Sequence, residues 1–82
     1  MKFDIEKHIR FELIENNKRK TNFFEVWNTQ QNCIIGYVKW FPSWRNYCFF
    51  PEREAVFSDR CMVKIGKFVE DENKRHKEIG ER

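Results

Sequence analysis

The stretch CIIGYVKWFPSWRNYCFFP, residues 33–51, decides the fold. Its first nine residues are mostly β-branched and aromatic types that pack well on a pleated surface. Pro42 and Ser43 interrupt the run, because proline has no N–H to give to a sheet ladder. The pattern resumes from Trp44 to Phe50 and stops at Pro51. Upstream, residues 21–28 contain Phe23, Phe24, Val26 and Trp27 and read as another strand, and Asn28 to Asn32 supply turn chemistry between the two. A meander of consecutive antiparallel strands follows. In its middle strand Ile34, Val38 and Trp40 alternate against Ile35, Tyr37, Lys39 and Phe41, so both faces carry apolar weight while only one can lie on a core.

Downstream of Pro51 the period changes from two to nearly four. Ser58 reads as a helix N-cap, Asp59 complements the dipole in the first turn, and Phe57 before the cap is placed to staple onto Met62. Cys61, Met62, Ile65, Phe68 and Val69 recur at helical spacing as one apolar stripe, with Arg60, Lys64, Lys67 and Lys74 on another side. The helix is expected from Ser58 to about Lys77, with residues 78–82 as a tail. Its stripe should pack on the sheet, so Ile65→Ala or Phe68→Ala should cost roughly 2–5 kcal/mol. Upstream of the meander, Ile9, Phe11 and Leu13 alternate with Arg10 and Glu12 as a half-buried strand, while Ile5, Ile9 and Leu13 also fit a helix face. Residues 1–17 therefore read as an N-terminal extension of strand or helix, before a polar turn at 16–20.

These elements define one α+β domain: an antiparallel meander of three or four strands over 18–57, with a C-terminal amphipathic helix packed on one face. A chain of 82 residues leaves no room for a second domain. Nine Phe, three Trp and two Tyr make 17% of it aromatic, and eleven of these fourteen rings lie between Phe23 and Phe57. So small a core cannot absorb them all, which leaves rings for a surface.

Charge and cysteines narrow the function. The net charge of +3 falls short of a dedicated duplex-DNA binder. The excess sits in residues 1–50, with Lys18, Arg19 and Lys20 as its one cluster. Three cysteines, Cys33, Cys48 and Cys61, cannot all pair, and their spacing matches no paired zinc-ligand pattern. A site completed by His76 is weighed only on count, and small buried thiols in a reducing cytoplasm are the expectation. Glu52 with Glu54, and Glu70 to Glu72, read as charged turns and helix surface in preference to cation ligands. No charged start leads into an apolar run, so neither secretion nor membrane insertion is expected. No nucleophile has a base beside it in sequence and no glycine-rich phosphate loop occurs, so neither catalysis nor a cofactor is expected.

Two resemblances bear on function. The run Gly36-Tyr37-Val38-Lys39-Trp40-Phe41, with Tyr47-Cys48-Phe49-Phe50 at its offset, resembles the opening strands of cold-shock domains, G-x-V-K-W-F followed by an F-G-F core. There the tryptophan and the later aromatics stack on bases and the lysine holds the backbone, which the resemblance assigns here to Lys39, Trp40, Tyr47 and Phe49, with Phe57 as a weaker candidate. Asn46 and Cys48 stand where that family has glycines, and a helix follows Phe57 where a barrel needs two more strands, so a complete cold-shock domain is excluded. The second resemblance spans roughly residues 18–72. Lys18 to Thr21, Gly36, Lys39, Trp40, Trp44, Arg45, Tyr47, Phe49, Phe50, Pro51, Phe57 and Cys61 form an order that looks like small uncharacterised proteins of bacteriophages and mobile elements. That resemblance implies a setting in the cytoplasm of a bacterial host, and no activity.

Two binding functions are therefore expected. One is nucleic-acid binding, single strands favoured, through Lys39, Trp40, Trp44, Arg45, Tyr47 and Phe49 with Lys18, Arg19 and Lys20 along a phosphate path. The other is a protein-interaction module that binds a host protein, for example to inhibit a defence or nuclease complex, through Trp, Tyr and Arg anchors. On the first reading, Trp40→Ala and Tyr47→Ala should weaken binding and leave circular dichroism intact. Exposed Trp40, Tyr47 and Phe49 ringed by cations would favour bases; an uncharged aromatic patch or an open sheet edge would favour a protein partner or self-association.

Overall fold

A computed structural model describes residues 8–15 and 20–78. Four strands, β1 (Ile9–Leu13), β2 (Phe23–Asn28), β3 (Cys33–Phe41) and β4 (Asn46–Pro51), form one antiparallel sheet in the order β1-β2-β3-β4. Helix α1 (Asp59–Glu78) follows and covers one face. The expected α+β architecture is observed, with the sheet at four strands. β1 lies within the expected N-terminal extension, and its alternation resolves as strand because Ile9 and Phe11 join the core opposite β2. Lys18 and Arg19, and the tail beyond Glu78, lie outside the described residues.

Each connection has a local cause. At the β2–β3 turn the Asn28 side-chain oxygen accepts the main-chain N–H groups of Gln30 and Gln31 at 3.0 and 3.1 Å, an Asx turn. Asn32 closes it at φ 55°, a conformation asparagine tolerates better than most residues. At the β3–β4 turn the Phe41 carbonyl accepts from the N–H groups of Trp44 and Arg45 at 3.1 and 2.9 Å, leaving Arg45 at φ 54°. The N-cap is as expected: Ser58 Oγ accepts the Cys61 N–H at 3.2 Å. Phe57 instead turns its ring onto Phe49 at 5.4 Å, and Met62, expected in the buried stripe, is 57% exposed.

The core comprises Ile9, Phe24, Val26, Ile35, Val38, Tyr47, Cys61 and Ile65. Register places Phe24, Val38 and Phe49 side by side on the helix face, with Trp40 beside Tyr47. A bulge between Val26 and Trp27 shifts pairing from Val26↔Gly36 to Trp27↔Ile34. One residue of β3 is thereby left over, and Ile35 enters the core where simple alternation would put Ile34. Phe68 ties the helix to the sheet's far side, stacked on Phe11 at 3.9 Å and edge-on to Phe24 at 4.9 Å.

Gly36 is required by a close approach. A Cβ there would lie 2.5 Å from the Phe49 ring and 2.8 Å from the Phe50 carbonyl oxygen. The ring thus lies across the glycine and covers the gap left in β3. Because the Phe50 carbonyl belongs to the ladder and cannot yield cheaply, Gly36→Ala is expected to destabilise by about 1–3 kcal/mol. Chemical denaturation checks this; an unchanged midpoint would mean that Phe49 swings away without loss.

Candidate functional site

Side-chain alternation divides the aromatic residues into two populations. On the helix face, Tyr47 is 2% exposed, and its neighbour Trp40 meets it edge-on at 5.3 Å. The His76 ring of α1 lies over Trp40 at 4.7 Å and against Tyr47 at 5.7 Å. Phe49 is occupied by Gly36 and Phe57.

A polar network surrounds Tyr47. Its phenol oxygen accepts the Asn22 main-chain N–H at 3.0 Å. The Asn73 side chain of α1 takes the Tyr47 N–H at 2.7 Å and reaches its carbonyl at 3.4 Å. Asn22 Nδ2 donates to the buried Glu72 at 2.7 Å, and Arg75 donates to the other carboxylate oxygen at 2.9 Å. Burial foremost, and then the nearby Glu72 carboxylate, push the Tyr47 phenol up from its ordinary value of 10.0, partly offset by the Asn22 N–H. The rings that motif matching assigned to base stacking, Trp40, Tyr47 and Phe49, are therefore placed against the helix and not on an open surface. β-Strand alternation explains this: the helix took the face holding Val38 and Trp40.

The open face carries the other population. Its rows, set by register, are Arg10 beside Trp27; Glu12, Glu25, Tyr37 and Phe50; Phe23, Lys39 and Cys48; and Phe41 beside Asn46. At one end Arg10 lies 5.1 Å above the Trp27 ring, and Trp27 Nε1 donates to Glu25 at 3.0 Å. Glu52 accepts from the Tyr37 hydroxyl, which pushes that phenol upward, with nearby Glu25 adding to the effect. This half carries three carboxylates, Glu12, Glu25 and Glu52, to the one guanidinium of Arg10, and is internally bonded.

The half toward the β3–β4 turn is different. Phe41 sits edge-on to Trp44 at 5.1 Å and to Phe50 at 5.9 Å, and Lys39 Nζ rests 4.6 Å above the Phe50 ring. The two rows nearest the turn contain no carboxylate. Trp44 is 69% exposed and adjoins exposed Arg45. Of the nine residues singled out in the sequence, Lys39 and Trp44 join this ring chain, and Arg45 follows Trp44 in the turn. Lys20 is exposed. Phe41, Phe50, Phe23 and Tyr37 were missed as site residues; strict alternation with Lys39 was the signal that could have found Tyr37 and Phe41, the two on its own strand and parity.

The cysteines do not converge. Cys33 is exposed at the start of β3, Cys48 lies on the open face, and Cys61 is buried on the inner side of α1. Burial pushes the Cys48 thiol up, which makes it a poor nucleophile near neutral pH. Among the described residues no group of three or more His, Cys, Asp and Glu side chains could hold a metal ion. No described helix is long and apolar enough to cross a membrane.

Fold and surface define a small α+β protein whose sheet is backed by one helix and whose opposite face is aromatic. The chain is similar to a small phage protein, the "Uncharacterized 9.3 kDa protein" of Acholeplasma phage L2, at 25% identity over 63 residues, which covers 77% of this chain and 81% of that one. No family model matches the chain, and no solved structure matches it.

Proposed function

We propose that this is a small non-enzymatic binding protein of phage type that holds single-stranded nucleic acid on the open sheet face, at the end formed by Phe41, Trp44, Phe50, Lys39 and Arg45. The observation that carries the reading is the Trp44–Phe41–Phe50 ring chain with the Lys39 ammonium over Phe50, beside two rows free of carboxylates. Every base offers a π-face, and stacking is worth about 1–3 kcal/mol per base whatever the sequence. Lys39 and Arg45 supply charge for the phosphates between stacked bases. Arg45 adds support of another kind. Its left-handed backbone costs a non-glycine residue roughly 1–2 kcal/mol, a strain that turn geometry alone would relieve with glycine.

That strain supplies a variant free of folding artefacts. Arg45→Gly is expected to retain the melting temperature, because glycine adopts this conformation without penalty. It should weaken binding of a labelled single-stranded oligonucleotide and reduce the salt dependence by roughly one phosphate contact. Trp44→Ala, at an exposed position, should lose about 1–3 kcal/mol of affinity with the fold intact. Fluorescence anisotropy at roughly 50 and 200 mM salt reads both.

A protein partner is the second reading. The acidic half of the face favours it, because Arg10, Trp27 and Tyr37 are residue types that anchor protein interfaces. Failure of single strands to bind at low salt would move the assignment to that half.

A further inference from the structure

The two edges of the sheet are finished differently. On β4, the main-chain groups of Tyr47, which face outward, are taken by the Asn73 side chain, and Pro51 at the strand's end has no N–H to offer. β1 has no such cover among the described residues. The bonds from Ile14 N–H to Phe23 and from Thr29 N–H to His8, at 2.8 and 2.7 Å, show that Leu13 and Phe24, and likewise Ile9 and Asn28, are non-bonded pairs of the ladder. Arg10 and Glu12 therefore spend their main-chain groups on β2. Ile9, Phe11 and Leu13 turn theirs outward, and Leu13 is 44% exposed beside them.

The strand Ile9-Arg10-Phe11-Glu12-Leu13 has a chemistry that complements its own reversal. We infer that β1 pairs with β1 of a second copy of this chain, antiparallel and centred on Phe11, so that Arg10 of each copy stands opposite Glu12 of the other. In this register Ile9 faces Leu13 of the second copy and Phe11 faces its equivalent, each pair exchanging both main-chain bonds. Outward groups meet outward groups, as the ladder requires. Shifting the axis to Arg10 would set Arg10 against Arg10, and shifting it to Glu12 would set Glu12 against Glu12, each a like-charge pair directly opposed. Charge thus selects the one register that also overlaps the whole strand.

The environment of β1 fits a second copy. Arg10 and Glu12 already lie 3.3 Å apart on the open face, about half exposed, and pairing would join them into a four-member alternating network. On the helix face a hollow lined by Phe11, Val63, Lys67, Phe68 and Asp71 adjoins the edge, with Val63 72% exposed. The two-fold axis is normal to the sheet, so both helices lie on one side and the aromatic face continues across both copies on the other. This inference stands apart from the nucleic-acid reading, and either can fail alone.

The test is sedimentation of the full chain over about 5–500 µM, since a strand-edge contact is smaller than a standard interface of about 1,600 Å² and should be of micromolar strength. The mass should rise from one chain to two. Arg10→Glu and Glu12→Arg should each weaken dimerisation at least about tenfold by opposing like charges at two symmetric pairs, and R10E/E12R together should restore it. A single-chain mass throughout, or a double variant no better than the single ones, would overturn the inference. Hydrogen exchange of the unaltered chain gives a second reading independent of how the variants fold. The amides of Ile9, Phe11 and Leu13 should gain protection with concentration, and equal exchange at both extremes would also overturn it.

Discussion

Tyr47→Ala is expected to unfold most of the protein at room temperature, or to lower its stability by about 3–5 kcal/mol, the range for truncating a buried aromatic ring. The substitution empties the space beneath Trp40 and His76. It also leaves the Asn22 N–H without its acceptor, an additional cost of roughly 1–3 kcal/mol where that group stays shielded from water. A domain of this size has total stability of the same order. Motif matching predicts the opposite for this residue, intact circular dichroism with lost ligand binding. Far-ultraviolet circular dichroism during thermal melting decides between them, and an unchanged transition would place Tyr47 outside the core. Burial also makes alkaline pH a probe. A phenol whose pKa is raised in the folded state contributes stability that is complete below the unfolded value near 10 and lost as pH rises through the folded value. Melting temperature should therefore hold up to about pH 9 and fall beyond pH 10, and Tyr47→Phe should flatten that fall.

Ile65→Ala is expected to cost about 2–5 kcal/mol. Ile65 is buried beside Cys61 in the same core, one turn along the helix. Helices of this length gain most of their stability from packing on a partner, so loss of this contact loosens the helix as well as the sheet. Near-ultraviolet circular dichroism and the denaturation midpoint should both shift. A small effect would mean that α1 docks through Phe68 and Val69 alone.

The helix was the most legible element in the sequence. Ser58 as cap, Asp59 as first residue, and Cys61, Ile65, Phe68 and Val69 as inward side chains all follow from local spacing and capping chemistry, which depend on residues within a few positions of one another. Met62 departs because it stands at the stripe's margin, beside the apolar groove under β4, where no neighbour closes over it. Apart from the start of β4, which lies at Asn46 and not at Trp44 because the Phe41 carbonyl takes the Trp44 and Arg45 N–H groups into the turn, strand boundaries were equally legible, since Pro42, Pro51 and the asparagines at 28 and 32 act through their own backbone geometry. Ile35 was not, because the bulge that turns it inward is set by β2, a separate strand.

The candidate site shows the same division more sharply. Alternation places Tyr37, Lys39 and Phe41 on one face of β3 and Val38 and Trp40 on the other from sequence alone, yet both faces are rich in apolar atoms and neither is marked as the inner one. The sequence by itself determined the three strands of residues 21–51 and the helix, their order, and side-chain parity away from the bulge, because those depend on local backbone chemistry and a fixed period of two or nearly four. Only the tertiary structure decided that α1 covers the Val38 face. It did so by setting Ile65 and Phe68 on the core, Asn73 on the exposed main chain of Tyr47, and the buried Glu72 within reach of Asn22, contacts between residues some twenty-five to fifty positions apart. Burial is a property of pairs of surfaces, and that choice turned Tyr47 into core and left Lys39, Phe41 and Phe50 on the face the helix does not cover.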